Sequence, residues 1–131
     1  MTNDQDRMVA AVPVVYVAGR FRGATPWDVE ENVRAAERVA LAVARAGAMP
    51  LCPHANTRFF SGQLDDDFWL TGTLALLARC DAVVLVPGWE ASTGARGEVE
   101  HAEAHGIPVL YDWRGEDLRA RVQPRGAAVT P

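Results

Sequence analysis

Apolar residues gather in short continuous runs that are separated by longer amphipathic segments. The runs are rich in β-branched residues, which is typical of strands buried in a parallel sheet. We predict four such strands, at residues 13–18, 48–52, 81–86 and 107–111. The second contains Pro50 and is therefore expected at a sheet edge, where a missing N–H group does little harm.

Between the strands, apolar residues recur at helical spacing. Thr25 as the N-cap and Pro26 at the first helical position predict a helix that ends before Gly47. Its apolar face carries Val29, Val33, Ala36 and Val43. Further helices are predicted over residues 65–79, 94–105 and 116–122, whereas a loop is expected over residues 53–64. In the helix over residues 65–79, the side chains expected to face the core are Trp69, Leu70, Leu74 and Leu77.

Strands that alternate with helices predict an α/β domain with right-handed crossovers. We expect residues 1–131 to form one three-layer domain of the Rossmann or flavodoxin type, with residues 1–11 and 124–131 frayed. Its parallel sheet of about four or five strands is expected in the order 2-1-3-4. Such sheets bind ligands outside the carboxyl ends of their strands, where the strand order reverses. The loops after the first and third strands, residues 19–23 and 87–97, should therefore meet at one crevice.

Composition narrows the classes of protein to which the chain can belong. Its residues are 49% hydrophobic and 23% charged, as in an ordinary globular protein. A net charge of −4 argues against a nucleic-acid surface, which needs a basic patch. The apolar runs are too short to span a membrane and the polar N-terminus lacks a secretory signal, so we expect a cytoplasmic protein. Cys52 and Cys80, which form no C-x-x-C pair, are then expected to be reduced core residues.

The loop after the third strand concentrates the candidate chemistry. Residues 87–98 read Pro-Gly-Trp-Glu-Ala-Ser-Thr-Gly-Ala-Arg-Gly-Glu. Their small side chains, together with the helix start, can bring backbone N–H groups against a phosphate. Glu98 is expected in the first turn of that helix, close to whatever the loop holds. We predict that the helix N-terminus keeps this carboxylate ionised at neutral pH and that it acts as a nucleophile.

The turn after the first strand, Gly19-Arg20-Phe21-Arg22-Gly23, should face the same crevice. It lacks the glycine pattern of a dinucleotide fingerprint, so we expect neither NAD nor FAD, and no other cofactor. Each arginine offers a planar donor fork that suits phosphate oxygens. The alternative is a solvated turn with two exposed arginines.

Two further kinds of site are weighed and set aside. Glu98, His101 and His105 recur at helical spacing, but a zinc site needs three or four converging ligands. The acids at residues 65–67 point in different directions on a helix and suit its positive end better than Mg²⁺. A serine triad is excluded because no histidine falls beside Ser92. We therefore expect no metal site and no serine hydrolase.

Aromatic residues near the crevice favour a nucleotide ligand. Phe21 and Trp89 lie in glycine-rich loops outside any periodic apolar face, and an aromatic face can stack on a nucleobase. Core packing explains Tyr16 equally well. Phosphate donors, a stacking surface and a single carboxylate together indicate a nucleotide site with a nucleophile.

Two motifs resemble a known superfamily. The segment Tyr16-Val-Ala-Gly-Arg-Phe-Arg-Gly23 and the pattern Ser92-x-Gly94-x-x-x-Glu98-x-x-x-Ala102 are similar to those of nucleoside 2-deoxyribosyltransferases. Within that superfamily they resemble the 2′-deoxynucleoside 5′-phosphate N-hydrolases, and the fuller string over residues 87–98 looks closer still to a less characterised branch in bacteria and phages. The resemblance covers residues 14–111 and implies cleavage of an N-glycosidic bond through a glycosyl-enzyme intermediate.

The resemblance also implies roles for single residues. Glu98 matches the nucleophile, and Ser92 and Arg22 match residues that hold the 5′-phosphate. Gly94 would give a close backbone approach, while Tyr16 and Gly19 would line the sugar and base. Arg20 replaces a small hydroxyl residue and Arg96 replaces a glycine, so the resemblance assigns neither a role.

One departure concerns the acid that protonates the leaving group. The aspartate of the family aligns with Thr73, which cannot supply a proton at neutral pH, although two-carboxylate chemistry needs such a group. Asp66 lies two turns earlier on the same helical face, and Asp65 or Asp67 are alternatives if the helix begins later. Two functions therefore remain open, an N-glycosidase or transferase acting on nucleotides and a nucleotide-binding module without catalysis. A homodimer or larger assembly is also expected, because family members pair to close the site.

Overall fold

A parallel sheet of three strands lies at the centre of the structure. The computed structural model describes residues 2–125. Its strands are β1 (Val14–Ala18), β2 (Met49–Leu51) and β3 (Ala82–Leu85), in the order β2-β1-β3. Tyr16 in the central strand pairs with Leu51 on one side and Val83 on the other. The predicted α/β fold with a parallel sheet is confirmed.

The predicted fourth strand is shorter than expected. It lies beside β3, as the order 2-1-3-4 requires, but it is reduced to a single parallel bridge between Val83 and Val109. The Val83 N–H donates to the Pro108 carbonyl at 2.9 Å, and the Leu110 N–H returns to Val83 at 2.9 Å. Pro108 itself has no N–H, so the ladder ends there.

Six helices surround the sheet within residues 2–125. They are α1 (Asn3–Ala11), α2 (Pro26–Arg45), α3 (Pro53–Asn56), α4 (Asp66–Leu77), α5 (Thr93–Ala104) and α6 (Leu118–Arg121). The start of α2 follows the sequence prediction, since the Thr25 hydroxyl accepts the Asp28 N–H at 3.2 Å. Val33, Ala36 and Val43 are buried on its inner face. None of the helices in the described part of the chain is long and apolar enough to cross a membrane.

Three local predictions were wrong. Residues 3–11 form a capped helix rather than a frayed lead-in, because the Thr2 hydroxyl accepts the Gln5 N–H and acidic residues occupy the first turn. The predicted loop over residues 53–64 contains α3. In α4 only Leu77 is fully buried, whereas Leu70 is 51% exposed, because one side of this helix has no neighbour within residues 2–125. Of the residues 124–131 predicted to be frayed, Arg125 is held by hydrogen bonds to Asp81 and Cys80, and residues 126–131 lie outside the described residues.

Alternation along β1 divides the core between the two faces of the sheet. Val15 and Val17 pack in one buried cluster with residues of α2 and with Leu118. Tyr16 and Ala18 belong to the other, with Leu77 and Ala102 from α4 and α5. This places the Tyr16 side chain between β1 and the helix that carries Glu98. Cys80 is buried and Cys52 is half-buried, and both are free thiols.

Asp81 links three distant parts of the chain at the amino end of the sheet. One carboxylate oxygen accepts the Val14 N–H at 2.7 Å and the other accepts the Arg125 N–H at 2.6 Å. The Arg125 guanidinium also donates to the Cys80 carbonyl at 2.8 Å. The carboxylate therefore ties the start of β1 and the end of the described chain to the entry of β3.

Candidate active site

The loops that follow β1 and β3 lie side by side, as the predicted topology requires. The Val86 N–H donates to the Ala18 carbonyl at 2.8 Å. At the next residue the backbones approach so closely that a Cβ at Gly19 would lie 2.6 Å from the Cβ of Val86. Only glycine fits this contact without a shift of either strand. The two loops of the predicted crevice are therefore held against each other where they begin.

Glu98 lies beside this crevice and is bound by Tyr16. The Tyr16 side chain is fully buried, and its hydroxyl donates a hydrogen bond to the partly buried Glu98 carboxylate. Because β1 supplies the tyrosine and α5 supplies the glutamate, this hydrogen bond connects the motif over residues 16–23 with the motif over residues 92–102. Glu98 is the sixth residue of α5 and lies in its second turn, not in the first turn as predicted.

The surroundings of Glu98 alter its protonation. Burial raises its pKa from 4.5 to about 7, and the hydrogen bond from Tyr16 opposes this rise. Burial, and then the charge of Glu98, raise the pKa of Tyr16 well above its ordinary range. The pKa of Glu98 therefore lies close to neutral pH. The ionised Glu98 that the sequence predicts at this pH stays a prediction, and burial works against it more strongly than a helix N-terminus more than one turn away supports it.

Thr73 faces the same pair from α4. Its hydroxyl donates to the Leu70 carbonyl at 2.9 Å, and its proximity lowers the pKa of the Tyr16 phenol. Thr73 also lines a cavity of about 110 Å³ between α3 and α4. The other lining residues are mainly aromatic or uncharged polar, and include Asn56, Thr57, Phe68 and Trp69. Thr73, the position at which the resemblance implies a catalytic aspartate, thus adjoins both Tyr16 and this cavity.

Asp66 lies away from the Tyr16–Glu98 pair. It begins α4, seven residues before Thr73, which corresponds to about 10 Å along the helix. Its carboxylate forms an ion pair of 3.1 Å with Arg22, and both side chains are more than three-quarters exposed. The structure therefore brings Asp66 to the turn after β1 rather than to Glu98. Arg20 is also exposed.

The loop after β3 is ordered by its own side chains. Gly88 has a φ of +90°, which allows the chain to turn into a short 3₁₀ segment, Trp89–Ala91. The Ser92 hydroxyl caps α5 by accepting the Ala95 N–H at 3.1 Å. The Arg96 guanidinium donates to the Glu90 carbonyl at 2.7 Å, which fixes the other end of the 3₁₀ segment. Ser92 and Arg96 therefore shape the loop from within.

Two glycines leave free space beside the start of α5. A Cβ at Gly97 would meet no atom within 4 Å, and one at Gly94 would meet only the Ser92 hydroxyl at 3.8 Å. Neither glycine is required by packing within the described residues. The space that their missing side chains leave is open to a ligand.

The crevice aromatics take different positions. The Trp89 ring lies 6.2 Å from the ring of Tyr111, and Phe21 packs edge-on against His54 at 5.6 Å. Trp27 is 72% exposed at the start of α2. Trp89 and Phe21 thus each already have one aromatic neighbour, and a base that stacks on either would use the opposite face.

Two residues to which sequence patterns assign no binding role, His54 and Asn32, contact the turn after β1. His54 is only 7% exposed, and its ring hydrogen-bonds to the backbone of this turn. Asn32 on α2 donates to the same turn. Polar residues such as these have no periodic signature, so only the structure reveals them. Within residues 2–125, no three side chains of His, Cys, Asp or Glu converge on a possible metal position.

Comparison with solved structures finds the same fold in an enzyme. The chain superposes on a 2-deoxyribosyltransferase from the psychrotolerant bacterium Bacillus psychrosaccharolyticus with a TM-score of 0.57 and 17% sequence identity. The match covers 73% of this chain and 69% of the other. At this identity the likeness concerns the fold. None of the curated protein sequences matches the chain.

A sequence model of a protein family also matches the chain. It matches residues 13–112, which include the sheet, both crevice loops, Tyr16 and Glu98. The matched segment therefore contains every residue of the candidate site described above. The chain belongs to the family described as Domain of unknown function (DUF7768).

Proposed function

We propose that this protein cleaves the N-glycosidic bond of a nucleoside 5′-monophosphate, with a 2′-deoxyribose sugar. Glu98 attacks the anomeric carbon as the base leaves, which gives a glycosyl-enzyme intermediate. Water or a second base then takes the sugar from Glu98, so the reaction is either hydrolysis or transfer. The Glu98 carboxylate forms a covalent bond to the sugar in the first step and releases the sugar in the second.

The observation that carries this proposal is the Glu98 carboxylate, held by the Tyr16 hydroxyl beside the crevice. A carboxylate that is partly buried and has a raised pKa disfavours folding, and such groups concentrate at functional sites. The hydrogen bond fixes the direction of the carboxylate before a substrate binds. The fold that this chain shares with a 2-deoxyribosyltransferase supports the same chemistry.

The phosphate is assigned to the crevice loops. Arg22 is exposed and can exchange its ion pair with Asp66 for a bond to a phosphate. The start of α5, with open space at Gly94 and Gly97, offers backbone N–H groups to the same anion. In this proposal Ser92, Arg20, Gly23 and Arg96 belong to the surroundings of the nucleotide, and Phe21 and Trp89 contact its base.

A family-type mechanism also needs a group that delivers a proton to the leaving base. Thr73 occupies the position of the family acid, and Asp66 lies about 10 Å along α4 from it. In our proposal Asp66 becomes free when the phosphate binds Arg22. Its carboxylate then orients a water molecule that gives a proton to the leaving base and releases hydroxide to solvent. Asp66→Asn tests this role, because it should slow base release while Asp65→Asn, the neighbouring change, should not.

A nucleotide-binding module without catalysis is the second candidate. It is favoured by the geometry at Thr73, where the resemblance implies a proton-donating aspartate: the Thr73 hydroxyl instead donates to the Leu70 carbonyl. Incubation with a panel of deoxyribo- and ribonucleoside monophosphates, followed by chromatography for free base, separates the two functions. Released base supports the enzyme. Tight binding with no base released from any member of the panel supports the module.

We also propose that the protein forms a homodimer or a larger assembly. An exposed apolar surface surrounds the start of α4, and its large side chains are each more than half exposed: Phe59, Phe60, Leu64, Phe68 and Leu70. Such a patch favours association with another surface. Sedimentation equilibrium at micromolar concentration should give a mass above that of the 14.2 kDa chain, and a monomer alone would contradict this assembly.

A further inference from the structure

The first half of the turn Gly19–Gly23 is held from outside by a buried histidine. The His54 Nε2 atom lies 3.1 Å from the Gly19 carbonyl oxygen and 2.7 Å from that of Arg20. Since both partners can only accept, Nε2 carries the proton and donates to them. Burial lowers the pKa of His54, so the ring is neutral at pH 7.

The second half of the turn is held by an asparagine on a different helix. The Asn32 side-chain amide lies 3.1 Å from the carbonyl oxygen of Phe21 and 3.1 Å from that of Arg22. Four consecutive backbone carbonyls, at residues 19–22, are therefore bound by only two side chains. A turn held in this way has one conformation, although most of it is exposed.

Packing alone does not explain a histidine at position 54. Its Nδ1 atom is buried and has no hydrogen-bond partner within the described residues. A buried acceptor left without a partner destabilises the folded state, and a leucine or phenylalanine would avoid this destabilisation. The donor at Nε2, rather than the bulk of the ring, is therefore the property that the position uses.

The backbone N–H groups of the turn have no such partners. Within residues 2–125, the N–H groups of residues 20–23 donate no hydrogen bond, so they are available to an acceptor outside the protein. The turn also carries Arg22, whose exposed guanidinium lies at the crevice. From these contacts we propose that His54 and Asn32 are positioning residues, which hold the Gly19–Gly23 turn in the conformation that binds the phosphate-bearing part of a nucleotide. This inference rests on the proposed function for the nature of the ligand.

The test uses variants that remove one donor each. His54→Leu removes the histidine donor, and His54→Gln places an amide N–H near the same carbonyls. Asn32→Asp keeps the shape of its side chain but replaces the donor with an acceptor. His105→Leu makes the same change as His54→Leu on an exposed ring at the end of α5. Two quantities are measured for each protein: ¹⁵N order parameters in the absence of ligand, and KM and kcat for base release from a deoxyribonucleoside monophosphate.

We expect the order parameters of residues 20–23 to fall from about 0.85 to below about 0.6 in His54→Leu and Asn32→Asp, with the sheet unchanged. In the same variants KM should rise about tenfold with a smaller change in kcat, and His54→Gln should recover most of both. Unchanged order parameters in both variants would overturn the proposal, and so would loosening spread evenly over the sheet. If the wild type releases no base, the proposed function fails, while the order parameters still decide the positioning role.

Discussion

Replacing Glu98 by glutamine separates the electrostatics of the site from its chemistry. Glutamine keeps an oxygen that accepts the Tyr16 hydrogen bond, but it cannot ionise. In the wild type, the pKa of Glu98 rises from 4.5 in the unfolded chain to about 7 in the folded protein. Between these two values the folded state holds more protons than the unfolded state, so the free energy of unfolding falls as the pH rises.

The size of the effect follows from that difference. A rise of about 2.5 pH units, from 4.5 to 7, corresponds to about 3 kcal/mol at 1.36 kcal/mol per unit. Glu98→Gln should therefore match the wild type near pH 4, become more stable as the pH increases, and exceed it by up to about 3 kcal/mol above pH 7. The variant should also release base at least about a thousandfold more slowly, because it lacks the nucleophile.

Urea unfolding at a series of pH values from 4 to 8.5 measures the difference in stability between Glu98→Gln and the wild type without any substrate. Glu100→Gln, an exposed change two residues further along α5, is the control and should run parallel to the wild type. If Glu98→Gln also runs parallel to the wild type at every pH, Glu98 is not held in a site that disfavours its charge. Base release by Glu98→Gln at the wild-type rate would refute the covalent mechanism.

Three further substitutions test other parts of the structure, and a pH series tests the role of Glu98. Asp81→Asn should lower the free energy of unfolding by about 2 kcal/mol in a urea titration, because it weakens two charge-assisted hydrogen bonds. Gly19→Ala should cost about 1–3 kcal/mol through its contact with Val86, whereas Gly94→Ala should keep stability but weaken nucleotide binding measured by calorimetry. Base release should rise about tenfold per pH unit up to about pH 7 and then level off, since only ionised Glu98 attacks; a rate that falls over this range would contradict the assignment.

The sequence predicts the sheet and its crevice because those features follow from local patterns. Buried β-branched runs mark β1 and β3, and the Thr25-Pro26 start marks α2. Topology alone then places the turn Gly19–Gly23 beside the loop that leads into α5. The same patterns overestimate the fourth strand, since a run of apolar residues does not show that Pro108 interrupts the ladder.

The electrostatic features of the site could not be predicted in the same way. The pKa of Glu98 depends on how deeply α5 buries it against β1, which is a property of packing and not of spacing. The contacts of His54 with the turn after β1 join residues more than thirty positions apart. Asp66 lies on the face that spacing predicts, yet its carboxylate turns to Arg22 because an opposite charge is within reach.

The Asp81 carboxylate has a consequence for how the protein can be attached to other molecules. It holds Val14 and Arg125 at the amino end of the sheet, whereas the crevice lies at the carboxyl end. The four residues of β3 separate these two ends by about 13 Å. A surface tether or fluorescent label attached at Val14 or Arg125 themselves therefore lies on the side of the molecule opposite the crevice, and from this side the protein can be immobilised with its binding face outward.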